Sequence, residues 1–318
     1  MQKPVWLRGV IPAIVTPFRE DFSVDEEGLR RYVRAVLAVP GVSGVLCNGY
    51  TGEGGALTPE ERRRCVAICA DEVAGRVPLI AGVDARSTAE AVAAARDAVR
   101  AGATVIQVNS PFEHLLRRGF PRMVEAPLRF FTSLQNEVGV PMLVFQYPTW
   151  SGLTYPPDVL ARLAELPSVV AVKEAVDLDT YVADFDALHG KVALFADHNG
   201  YTLLPMLLLG ADGTMVGISN VGLELYVELF EAVQRREFQR AVDLTNTRLR
   251  PLMRVLATDL GRTPTSFVSK VKEALVMLGR LERAVVRPPE VPVTAGEREA
   301  IRQALVAAGL LPAATRVG

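Results

Sequence analysis

The chain has 318 residues, 49% of them hydrophobic and 22% charged, which is enough for one large domain or a domain with an appendage. A formal net charge of -1 excludes a global field that would gather nucleic acid or an anionic membrane. Three cysteines, Cys47, Cys65 and Cys69, are too sparse for a disulfide framework and suit a reducing compartment. Near the N-terminus only Val5-Trp6-Leu7 is an apolar patch, which does not read as a signal peptide. The greasiest stretch, residues 203–211, holds Pro205 and Gly210 and is too short to span a bilayer. The expectation is a soluble, cytoplasmic protein.

A short apolar run, a loop and an amphipathic helix recur along the chain. The first run covers residues 9–18, and a helix is expected over 25–38 with Leu29, Val33, Val36 and Leu37 on one face. The second run is 44–49. After it Thr58, Pro59 and Glu61 form a helix start, with a capping box and a proline at the first helical position. The third run is 79–83, followed by a Ser87–Glu90 capping box and an alanine-rich helix to about 101. The fourth is 105–109, with a helix near 124–137. The fifth is 142–147, closed by Pro148, with a helix after Pro156-Pro157. The sixth, seventh and eighth runs are 169–175, 192–196 and 213–218.

Eight such units with parallel-type strands indicate a (β/α)8 barrel rather than a doubly wound sheet. The barrel is expected to occupy residues 1–222. Residues 223–318 then hold its last helix and a helical appendage, with helices near 221–235, 237–256, 266–278 and 295–308. Thr294 and Glu297 form another capping box, and Arg287-Pro288-Pro289-Glu290-Val291-Pro292 is a stiff connector.

The sixth run carries the oddest residue. Val169-Val170-Ala171-Val172 leads straight into Lys173. Without polar alternation the run reads as a strand buried on both faces. Lys173 is either a strand end whose ammonium reaches water on an apolar stem, or a buried amine nucleophile. The barrel favours the second, because active sites of such barrels lie at the C-terminal ends of the strands. That rim also gathers Tyr50, Thr51 and Gly52 in the glycine-rich loop 49–55. Phe145 and Tyr147 end strand five, Asp197-His198-Asn199 strand seven, and Met215 and Gly217 strand eight. The loop 49–55 lacks the G-x-G-x-x-G spacing of a dinucleotide fingerprint. It fits a carboxylate cradle of backbone N–H groups and a hydroxyl, or a plain structural loop.

His114, His189 and His198 are scattered, without HxH or HExxH, and Cys65 with Cys69 reads as helix packing. Neither a metal nor a cofactor is expected.

With Pro12-x-x-x-Thr16-Pro17-Phe18, Asn48-Gly49-Tyr50-Thr51-Gly52-Glu53, Pro148, Lys173-Glu174 and Gly210-Ala211-Asp212-Gly213 in this order, the chain resembles the dihydrodipicolinate synthase / N-acetylneuraminate lyase family of class I aldolases. The resemblance implies that Lys173 forms a Schiff base with a 2-oxo acid such as pyruvate. It implies that Thr51 and Gly52 hold the acid's carboxylate and that Met215 lines the imine. It also implies a homotetramer, or at least a homo-oligomer such as a dimer.

Four positions depart from the pattern. Phe145 stands where a proton-shuttling tyrosine is usual, so Tyr147 or Tyr50 is the candidate substitute, unless both only shape the pocket. Tyr50 itself replaces a frequent threonine. Trp150 stands where the synthases bind a second substrate's carboxylate with arginine, and Glu113 where they carry a further tyrosine. His198 is either a pocket acid/base or a polar loop residue. The leading expectation is therefore a Schiff-base lyase, aldolase or dehydratase on a 2-oxo acid, and not a true dihydrodipicolinate synthase. The alternative is a catalytically silent or regulatory barrel that binds a 2-oxo acid or a protein partner.

Overall fold

The computed structural model describes residues 3–109, 122–148, 154–257 and 265–312. Among these, eight parallel strands form one sheet: β1 (Gly9–Val10), β2 (Val45–Cys47), β3 (Leu79–Val83), β4 (Val105–Asn109), β5 (Met142–Gln146), β6 (Val169–Glu174), β7 (Ala193–Ala196) and β8 (Gly213–Thr214). The order is β1-β8-β7-β6-β5-β4-β3-β2. Parallel bridges Val10 to Val42 and Ala13 to Leu46 join the two ends, so the sheet closes into a (β/α)8 barrel.

The helices are α1 (Glu26–Leu37), α2 (Pro59–Val73), α3 (Thr88–Arg100), α4 (Glu125–Val138), α5 (Pro157–Leu163), α6 (Leu178–Leu188), α7 (Leu203–Leu208) and α8 (Leu223–Gln234), then α9 (Phe238–Leu244), α10 (Arg250–Leu256), α11 (Phe267–Met277) and α12 (Ala295–Ala307). Their starts follow the capping chemistry. Thr58 and Thr294 accept from the N–H of Glu61 and Glu297, whose carboxylates accept the cap N–H in return. The Ser87 box is only half formed: Ser87 caps Glu90, but the Glu90 carboxylate bonds the N–H of Arg86.

Three expected elements come out shorter or divided. The run 9–18 gives a two-residue strand and isolated bridges, because Pro12 has no N–H to donate; its carbonyl still accepts from Leu46 N at 3.0 Å. The run 213–218 leaves the sheet after Thr214 and curls into a 3-10 turn, Gly217–Asn220, where Ser219 Oγ donates to the Val216 carbonyl. The helix over 237–256 is split by a π turn, Thr245–Leu249, one residue short of Pro251, whose nitrogen cannot donate into the ladder.

Period two along the strands decides what faces the barrel axis. Leu7, Ile11, Leu46, Ile80, Val105, Leu143, Ala171, Ala193, Phe195 and Met215 fill the interior as one cluster. The outer faces pack against the helices. The C-terminal helices α11 and α12 share a core with α1, α2 and α8. Two cations fix this appendage to the rim. Lys272 of α11, fully buried, pairs with Glu53 at 2.5 Å, and Arg287 pairs with Glu61 at 2.5 Å. Phe18 lies between them, its ring 4.2 Å from Lys272 Nζ and 4.5 Å from the Arg287 guanidinium.

Candidate active site at the strand ends

Lys173 lies two residues beyond Ala171, so it faces the axis one layer above the apolar fill. It is 4% exposed, so the stem does not carry its charge to water. Register sets it beside Phe145 of β5 and Phe195 of β7. The face of the Phe145 ring lies 4.1 Å from Nζ. On the other side Asp197 Oδ2 is 3.0 Å from Nζ. Burial pushes the Asp197 carboxyl up to about 6, and the lysine charge opposes that rise.

The sequence places Asp197 at the strand-seven exit but assigns it no role. Its signal was available: it lies two residues past the inward-facing Phe195, which is paired with Lys173. Its own N–H bonds the Glu174 carbonyl at 2.9 Å, which holds the strand-seven exit against strand six.

Tyr147 does share the side of Phe145: their rings are 5.6 Å apart, and Tyr50 meets Tyr147 edge-on at 6.1 Å. Burial raises both phenols above their ordinary range, and for Tyr147 the Asp197 charge adds to it. The loop bearing Tyr50, Thr51 and Gly52 is fastened from below. Gly52 and Gly54 N–H both donate to the Gly49 carbonyl at 3.1 Å, and Thr16 Oγ1 donates to the Gly52 carbonyl at 2.7 Å. Glu53 closes the turn in the left-handed region at φ 52°, an uncommon conformation for a non-glycine, held by Lys272.

Thr51 touches the strand-eight exit: a Cβ on Gly217 would lie 2.4 Å from Thr51 Oγ1. Met215 is buried inside the barrel with Phe195. The structure thus links Lys173, Phe145, Tyr147 and Tyr50 through successive ring contacts, sets Thr51, next to Gly52 in its loop, against Gly217, and buries Met215 with Phe195. His198 is half-buried, and its Nδ1 accepts from Gly200 N at 3.0 Å within its own turn; burial lowers its pKa, so it is neutral at pH 7. Trp150 and Glu113 lie outside the described residues.

A second polar group lines the axis. Asn109 Nδ2 donates to Asp84 and its Oδ1 accepts from Gln107 Nε2 at 3.3 Å; Asp84 and Asn109 stand at the exits of β3 and β4, and Gln107 lies one inward step down β4. Behind strand six, Gln146 Nε2 bridges Glu174 at 3.3 Å and Asp184 at 2.7 Å. Burial raises both carboxyls, Asp184 to about 7.

The dihydrodipicolinate synthetase family model matches residues 6–308. The chain belongs to that family. A 4-hydroxy-tetrahydrodipicolinate synthase of Methanothrix thermoacetophila is 35% identical over 306 residues, covering 94% of this chain and 96% of that protein. One of Methanopyrus kandleri is 34% identical over 309 residues, covering 96% and 98%. Among solved structures, the Acinetobacter baumannii dihydrodipicolinate synthase complexed with pyruvate superposes with a TM-score of 0.85 at 28% identity, covering 96% of this chain and all 100% of that one. The Thermotoga maritima synthase gives 0.85 at 27% identity, covering 96% and 99%. Family membership makes the protein a class I, Schiff-base aldolase or lyase. Its named relatives are synthases, and nothing in the likeness favours a catalytically silent barrel. Among the described residues no helix is long and apolar enough to cross a membrane.

Proposed function

We propose that Lys173 is the amine that condenses with the ketone of a pyruvate-type 2-oxo acid, and that the enzyme cleaves, forms or dehydrates a longer 2-oxo acid through that imine. The observation that carries this reading is a buried lysine at the inner rim of the barrel, one layer above the apolar fill, with its Nζ between the Phe145 ring and the Asp197 carboxylate. Thr51 and the backbone at Gly52 hold the acid's carboxylate, with Gly217 leaving room for the threonine. Met215 and Phe145 line the imine, Tyr147 and Tyr50 supply phenols at the mouth, His198 borders the distal end, and Trp150 is kept as a substrate-binding candidate from its place in the sequence.

The distal substrate group is less acidic than that of the synthases. Phe145 lacks the hydroxyl usual at its position, and Trp150 offers an apolar face and one N–H where the synthases use arginine. Three free, buried cysteines fit a cytoplasmic enzyme, and the family resemblance supports a homo-oligomer, tetramer or dimer.

The test is to incubate the protein with pyruvate and a panel of longer 2-oxo acids, reduce with borohydride and map the adduct by mass spectrometry. A covalent adduct on Lys173, lost in Lys173→Ala, is expected. No adduct with any 2-oxo acid across the pH range refutes the assignment.

A further inference from the structure

Lys173 Nζ is enclosed unequally. On the side of β5 it meets the face of Phe145 at 4.1 Å, a surface that cannot exchange a proton. On the side of β7 it meets the Asp197 carboxylate at 3.0 Å. Asp197 is only 8% exposed and lies one residue past the end of β7, fixed by its N–H bond to the Glu174 carbonyl. Among the described residues, the other titratable groups about the pair are Tyr147 from the strand-five exit, Asp84 from the strand-three exit, whose carboxyl feels the Lys173 charge, and the chain neighbour His198, whose Nδ1 is engaged by Gly200 N.

We infer that Asp197 is the acid–base catalyst of imine formation in this enzyme, taking the proton from the Lys173 ammonium and giving one to the departing oxygen. The inference rests on Lys173 being the nucleophile. Its proton balance closes at every step. The ammonium passes a proton to the carboxylate, leaving a neutral amine and a carboxylic acid. The amine adds to C2 of the 2-oxo acid; the C–N bond forms as the carbonyl π pair moves to oxygen, and one N–H proton ends on that oxygen. The acid then protonates the carbinolamine hydroxyl, the C–O bond breaks, and water leaves. The products are the protonated imine, water and the Asp197 carboxylate, the same charge as at the start.

The carboxylate is then placed beside the cation it helped to make and can take the C3 proton as the imine becomes an enamine. Burial supports the role, since an acid titrating at about 6 can both accept and donate near neutral pH. The raised phenols of Tyr147 and Tyr50 are poorer at this exchange and are left to the distal oxygen of the substrate.

A buried ion pair with a purely structural role would have the same distances, so the test reads proton transfer. Imine formation with pyruvate is timed by rapid quench into borohydride, with the Lys173 adduct quantified by mass. In the unmodified protein the rate should fall as pH drops below about 6, where Asp197 is already protonated. Asp197→Asn keeps the size and a hydrogen-bond acceptor. It should slow imine formation by about 100-fold or more and lose that acid limb, while the adduct still maps to Lys173 after long incubation. Wild-type rate with the limb intact in Asp197→Asn overturns the inference and leaves the lyase reading standing. So does a wild-type rate flat through pH 6, a measurement that needs no variant. No adduct in the wild type overturns the lyase reading itself, and the inference with it.

Discussion

Removing the charge of Lys272 tests how the appendage supports the site. Its ammonium is fully buried, 2.5 Å from a Glu53 oxygen, and donates to the Val285 carbonyl at 2.8 Å. Burial lowers its pKa to about 8, so it is mostly charged at pH 7. In Lys272→Met the stem and the packing on Phe18 remain, but among the described residues Glu53 keeps only the Arg287 N–H at 3.1 Å. Stranding one partner of a buried pair costs about 3–5 kcal/mol. At about 2.1 cal/mol/K per residue, unfolding of a chain this size has an entropy near ~0.7 kcal/mol/K, so Tm should fall by about 6 °C. Adding Glu53→Gln removes the stranded charge and should recover about half of the loss. Calorimetry on both variants at pH 7 reads the shift. Because Glu53 closes the loop bearing Thr51, KM for pyruvate should rise more than kcat falls. A single variant melting within about 1 °C of wild type, or a double variant no better than the single, refutes the reasoning.

Two further outcomes are expected. In Gly217→Ala the new methyl would stand 2.4 Å from Thr51 Oγ1 and 2.8 Å from the Phe267 ring, so the hydroxyl must turn away. KM for pyruvate should rise by about tenfold or more, and an unchanged KM would remove Thr51 from the carboxylate site. The Glu174–Asp184 pair sets a pH dependence of stability. Both carboxyls are raised by burial, so the folded protein keeps protons that the unfolded chain releases at about pH 4. Their stabilising contribution is complete below about pH 4 and is lost as pH rises through about 7, where Asp184 ionises. Urea midpoints measured from pH 4 to 8 should fall less steeply for Asp184→Asn than for wild type; identical slopes would mean that the pair is already ionised.

How far the sequence carried the fold depended on how one-sided each element is. Strands β3 and β4 lie where the apolar runs 79–83 and 105–109 do, because a strand buried on both faces leaves no choice of boundary. Helix starts were legible wherever a side chain caps the backbone, as at Thr58 and Thr294. Helix α6 was not legible. Its inner face buries Asp184 alongside Tyr181 and Leu188, so the apolar stripe is interrupted where the helix meets strand six. Period alone cannot show that a carboxyl is accommodated there, because its acceptance depends on Gln146, 38 residues away in the chain.

The site divides the same way. Lys173 could be read because a charge at the end of an unbroken apolar strand breaks a local rule. Asp197 breaks none: an acid entering a loop is ordinary, and only the register of β7 against β6 turns it inward. Phe145 looked like a loss when taken by itself. Beside Asp197 it becomes half of an exchange, for β5 and β7 are the two neighbours of β6 in the sheet. The hydroxyl usual on one side of the amine is missing, and a carboxyl stands 3.0 Å away on the other. A proton-exchanging group beside Nζ is what imine chemistry requires, whichever strand supplies it. On this argument the chain has moved that capacity from strand five to strand seven, which leaves an apolar ring on the strand-five side of the substrate.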